Sequence, residues 1–267
     1  MRCVVCKDTT SGSEPLEHIL PEGIGNTAHI LRRGVVCGKC NNYFARKVEK
    51  PFLELPEIIA LRFEQAVPSK RGFVPAQEGI FLQGQCSVQA IKEPHRPEIS
   101  ISVPNKAVTI LKTIESGTLI FPTAHTTLEP SVTVARFLGK VGIEAFASRM
   151  ERDDALLDEM VNEERLDALR DFVRRGKNIP WPISIRRIYD ADSNWRSDEQ
   201  EPYQIMHEFD FLVLENKEIY FVLALFGQEL VMNMGGPSLE SWEKWLTEKG
   251  GISPLHYGKN SAVDSKI

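Results

Sequence analysis

Glu17-His18 and Asn41-Asn42 are adjacent pairs of potential donors. Two Cys-x-x-Cys turns, Cys3/Cys6 and Cys37/Cys40, enclose the first pair and run directly into the second. Four soft sulfur ligands in two short turns supply what a tetrahedral zinc requires, and four thiolates leave that ion no open position. The expected zinc is therefore structural. A redox role fits less well, because there are two pairs and neither begins a clear strand-to-helix unit. The oxygen donors suggest different chemistry. The Glu17 carboxylate and the Asn42 amide suit a hard cation, Mg²⁺ or Mn²⁺, which keeps several waters and binds phosphate oxygens. The His18 imidazole can take a proton from water for in-line attack on phosphorus. On a strand, neighbouring side chains face opposite ways, so Glu17 and His18 could serve an ion and a nucleophile from two sides.

The elements that must position these groups are short. Residues 1–50 read as a loop-rich zinc module with strands expected at 19–21 and 34–37 and turns across 21–26. From Asn41 the pattern turns helical, with Phe44, Val48 and Phe52 on one face. Pro51 and Pro56 should limit that helix. His29 is the spare histidine of the segment and is expected at the surface.

This stretch resembles the HNH endonucleases, the ββα-metal nuclease family, in the branch with paired zinc cysteines. The likeness rests on Cys3-x-x-Cys6, residues 13–22 around Glu17-His18, Gly23-Ile24-Gly25-Asn26, and residues 36–42 ending in Asn41-Asn42. It covers about a fifth of the chain, and its elements occur in the family's order. It implies a ββα finger that hydrolyses DNA phosphodiesters with one divalent ion, RNA remaining open. His18 would be the general base, Glu17 a metal ligand where the family often has aspartate, and Asn42 the second metal ligand. Asn41 stands where many members carry the third-motif histidine, and Asn26 is the nearest match to the middle asparagine. Arg32, Arg33, Lys39, Arg46 and Lys47 would neutralise backbone phosphates, which positions nucleic acid without reading its sequence. The larger prokaryotic proteins of this kind suggest, by analogy, defence against foreign DNA. A homodimer would bring two nicking sites to the two strands.

Composition is compatible with this and excludes little else. The net charge of −5 argues against a protein that coats nucleic acid, but residues 1–50 hold eight Lys/Arg against five Asp/Glu. No run approaches the roughly 20 apolar residues of a membrane span, the start lacks a signal-peptide core, and the paired cysteines suit a reducing cytoplasm. Cys86 reads as a buried core thiol. The expected organisation is α+β, with a zinc-bound finger over 1–55 and a larger mixed helix/antiparallel-sheet domain over 56–267. Short strands are expected over 73–77, 79–83, 86–91, 98–103, 108–112 and 117–122. A buried helix should open at Ser131, amphipathic helices should run to a Gly176 cap, and strands should return over 181–189, 204–214, 218–226 and 229–234. Trp242 and Trp245 sit on an expected last helix. The two other function classes consistent with these features are a non-catalytic zinc regulator that binds nucleic acid and a protein-interaction scaffold.

Overall fold

The computed structural model describes residues 1–94, 98–123, 127–176, 180–196 and 202–256; His95, His125 and the tail after Gly258 lie outside them. The chain opens with a ββα finger. Strand β1 (Glu17–His18) pairs antiparallel with β2 (Ile30–Leu31), and helix α1 (Gly38–Phe44) follows. A π-helical turn, Ala45–Glu49, carries α1 into α2 (Lys50–Leu53). The strand expected over 34–37 is a turn instead. There Val35 N–H bonds back to Arg32 O, Val35 O accepts from Val4 N–H, and Cys37 N–H donates to Cys3 Sγ, so the segment wraps a cysteine knuckle.

Pro51 does not stop the helix. A proline in a helix deprives the carbonyl four residues earlier, here Lys47 O, of its donor. Arg136 Nη1 donates to Lys47 O at 3.4 Å, and the π-helical turn lies immediately upstream.

A second antiparallel assembly follows. It comprises α3 (Pro56–Glu64), β3 (Gln77–Phe81), β4 (Cys86–Lys92), β5 (Ile99–Ser102), α4 (Asn105–Leu111) and β6 (Leu119–Ile120), with the sheet ordered β5-β4-β3-β6. Of residues 108–112, expected as a strand, 108–111 belong to α4 and Lys112 is its C-cap. Val103, Ala107, Ile110 and Ile114 recur at helical spacing and pack on Phe81, Cys86 and Val88. Cys86 is buried there, as expected of a core thiol.

The rest of the chain builds α5 (Val132–Ser148), α6 (Asp154–Asn162), α7 (Asp167–Arg175), strands β7 (Ser184–Arg187), β8 (Asn194–Arg196), β9 (Pro202–Gln204), β10 (His207–Val213), β11 (Ile219–Leu225) and β12 (Gln228–Asn233), and α8 (Glu240–Glu248). Ser131 caps α5 by accepting from Val134 N–H, and Gly176 ends α7 in the left-handed region. The sheet runs β10-β11-β12-β7. Tyr220, Val222 and Ala224 of β11 pack with Trp242 of α8 and Leu255. Its alternate residues turn to the other face, where Phe221 meets α5 at Gly142. The strand is therefore apolar without alternation.

Contacts divide the chain into two compact units: Met1–Pro21, Asn26–Phe52 and Leu128–Ile267 in one, and Glu22–Gly25 and Leu53–Thr127 in the other. One break falls after Phe52, and the finger shares its unit with residues 128–267. The reason is visible in the helix face. Phe44, Val48 and Phe52 are all buried, and Phe52 stacks on Phe137 of α5 with ring centroids 3.6 Å apart. A finger this small cannot bury such a face by itself.

Candidate metal-dependent nuclease centre

The two cysteine turns bring the two ends of the finger together. The sulfurs of Cys3, Cys6, Cys37 and Cys40 lie within 4.8 Å of one another, and Cys6 and Cys37 are 3.6 Å apart. A tetrahedron with Zn–S of about 2.3 Å has edges of about 3.8 Å, so the four thiols fit a zinc. Cys37 also caps α1, its Sγ accepting from Cys40 N–H at 3.4 Å. The thiols bias one another's protons. A hydrogen bond with Cys40 holds Cys3 down to about 5, burial pushes Cys6 up to about 12, and the bond to Cys3 raises Cys40. Four neighbouring thiolates need compensating positive charge, which a dication supplies.

The knuckles are anchored from outside the finger. Arg170 of α7, 3% exposed, donates from Nε to Val4 O at 2.9 Å and from Nη1 to Glu163 O. Arg2 pairs with Asp158, Lys7 with Asp167 and Arg32 with Asp154. Much of the finger's basic character is thus spent on the acidic α6–α7 face.

On β1, Glu17 is 6% exposed and its Oε1 lies 2.8 Å from Lys140 Nζ of α5. His18 is half-buried on the same strand, next to Glu17. Asn41 reaches the residue just before β1: its Nδ2 donates to Leu16 O at 3.3 Å. Asn42, one residue further round the helix, is exposed. Asn26 is fully buried and braces the hairpin loop. Its Nδ2 donates to Leu20 O and His29 O, and its Oδ1 accepts from Ala28 and His29 N–H. His29, expected at the surface, is half-buried with its ring against His207 and Phe209 at 5.4 and 5.0 Å. Burial lowers its pKa.

Of the five phosphate candidates, Arg32 is committed to Asp154, and its backbone N–H donates to Glu151. Arg33 donates to Glu14 O at 2.6 Å. Lys39, Arg46 and Lys47 are exposed along α1 and the π-helical turn. Beside them, Tyr43 accepts from Arg136 at 2.9 Å and carries the Arg174 guanidinium over its ring at 3.9 Å.

The motifs of residues 1–50 point to none of Lys140, Glu49, Glu144 and Arg136, and all but Glu49 lie outside that segment. A signal existed for two of them. Lys140 and Glu144 are opposite charges four apart in the otherwise apolar α5, a pairing suited to one buried face.

The strand–strand–helix order, closed by four cysteines, is now established in space. Residues 3–55 match the HNH endonuclease family. The match names a nuclease family for the finger and leaves most of the chain unassigned. No curated protein and no solved structure matches this chain. Among the described residues, no helix is long and apolar enough to cross a membrane.

Proposed function

We propose that the HNH finger is a metal-dependent DNA endonuclease whose general base is His18. The observation that carries this reading is the Asn41–Leu16 hydrogen bond, which ties the residue after the second knuckle to the residue leading into the Glu17-His18 strand. The ion-holding residues would be Glu17 with an amide from the helix, Asn42 or Asn41. Because Glu17 Oε1 is paired with Lys140, Glu17 would offer its other oxygen. One carboxylate and one amide, completed by water, suit Mg²⁺ or Mn²⁺. Such an ion supplies positive charge to the phosphate oxygens as the bond breaks. His18 takes the proton of the attacking water, and Lys39, Arg46 and Lys47 hold the backbone phosphates. Defence against foreign DNA in the cytoplasm is the use that the family resemblance suggests for such an enzyme.

The test is plasmid cleavage with Mg²⁺ or Mn²⁺. The parent should nick supercoiled DNA, and His18→Ala should lose about 10²–10⁴-fold in rate while keeping its zinc. Nicked circles alone indicate one working site, whereas direct linearisation indicates a homodimer cutting both strands. Single-stranded RNA serves as the alternative substrate. Equal activity, or equal inactivity, of parent and His18→Ala overturns the proposal. A second reading, a zinc module that binds nucleic acid without cutting it, draws on the burial of Glu17 against Lys140. It gains if both proteins shift DNA on a gel and neither cuts.

A further inference from the structure

Lys140 lies in the middle of α5, far outside the matched segment, and its side chain has no exposed surface. Its Nζ is 2.8 Å from Glu17 Oε1, 2.7 Å from Glu49 Oε1 and 2.8 Å from Glu144 Oε2. It also donates to the carbonyl oxygens of His18 at 2.8 Å and Ile19 at 3.2 Å. An ammonium has three N–H donors, so five oxygens share three hydrogens around one positive charge. Lysine is almost never fully buried, and a single well-bonded carboxylate would balance its charge. Here three of the five partners belong to two consecutive residues of β1 and the one that follows: the Glu17 carboxylate and the carbonyls of His18 and Ile19.

We infer that Lys140 is a positioning residue for the Glu17-His18 dipeptide. It commits one oxygen of Glu17 and pins the two peptide groups that follow His18. The direction of the second Glu17 oxygen, and of the imidazole beside it, is then set by a helix the finger does not contain. Helix α5 is itself held closely. A Cβ at Gly139 would come within 2.6 Å of Val173 on α7, and one at Gly142 within 3.0 Å of Phe221 on β11. With glycines on either side, the helix carrying Lys140 packs too tightly to slide. Glu49, at the end of the π-helical turn, brings the finger's helix to the same ammonium. One cation thus joins the strand, the helix and α5.

This inference rests on the nuclease reading, and its test separates the two. Removing Lys140 alone would strand three carboxylates, so the reference protein is Glu49→Gln/Glu144→Gln, in which the Lys140–Glu17 pair remains. Adding Lys140→Met to that reference should raise the Mn²⁺ concentration needed for half-maximal nicking by about 10–100-fold. Mn²⁺ binding followed by electron paramagnetic resonance should weaken in parallel, with zinc content and melting temperature matching the reference. If the Met variant loses zinc or its cooperative melt, Lys140→Gln in the same background replaces it, keeping donors for the two carbonyls without the charge. Unchanged Mn²⁺ dependence and binding in the variant, with an active parent, overturns the positioning role alone. A parent that neither nicks DNA nor binds Mn²⁺ overturns the nuclease reading and this inference with it.

Discussion

At the scale of single residues, two neighbouring asparagines make the sharpest contrast. Asn41 and Asn42 both follow the second knuckle, and sequence spacing favours Asn42 as the ion's second ligand. Helix geometry separates them by about 100° around the axis, so they cannot serve the same site equally. Asn41 is the one bonded to the residue before Glu17, while Asn42 is exposed. Asn41→Ala should therefore lower cleavage by at least about 10-fold, and Asn42→Ala should act mainly on DNA affinity. Rates at saturating DNA, measured for both variants, check this. The reverse order would return the ligand role to Asn42. Asn26 shows what motif order could and could not supply. Its position is legible in residues 23–26, but its work, satisfying four backbone groups of a buried loop, depends on chain brought together by the hairpin. The charge state around Lys140 is likewise a tertiary property. Burial opposes the ammonium, but Glu144, Glu17 and Glu49 together raise its pKa well above the ordinary lysine value. Burial, then the Glu17 charge, raises the pKa of Glu144.

At the scale of elements, the finger's helix was legible in the spacing of Phe44, Val48 and Phe52. Its length was not, because Pro51 is a stop signal unless another group bonds the orphaned carbonyl. Arg136 does this from α5, 89 positions along in sequence but adjacent in space. Helix α4 taught the opposite lesson. Residues 108–112 are β-branched in composition, yet their apolar period is helical, and packing on Phe81 and Val88 decided between the two. The Phe52–Phe137 stack joins the finger to α5, and both side chains are fully buried. Phe52→Ala should cost about 3–5 kcal/mol by transfer and cavity terms. Denaturant unfolding measures it, with zinc content checked separately. A loss below about 1 kcal/mol would mean that the helix face is not held by α5.

At the scale of the whole molecule, the finger is part of a larger unit and is not an appendage. Zinc removal should therefore be felt beyond residues 1–55. Chelating the ion, or substituting Cys37→Ser, frees both knuckles and with them Val4, whose carbonyl is bonded by Arg170. Structural zinc is worth about 10–16 kcal/mol in free zinc-finger peptides. The melting transition of the unit containing residues 128–267 should shift down when zinc is lost, as followed by circular dichroism against metal content. An unchanged melt after complete zinc release would show that the two parts fold separately. By itself the sequence determined the four-cysteine set, the order of the finger's motifs and most periodic helices and strands, because these depend on residue type and local spacing. The tertiary structure alone decided which asparagine reaches the residue before β1, which basic residues stay exposed and which distant lysine grips Glu17. The last of these depends on burial and on charge meeting charge across more than a hundred residues, and no local pattern encodes that distance.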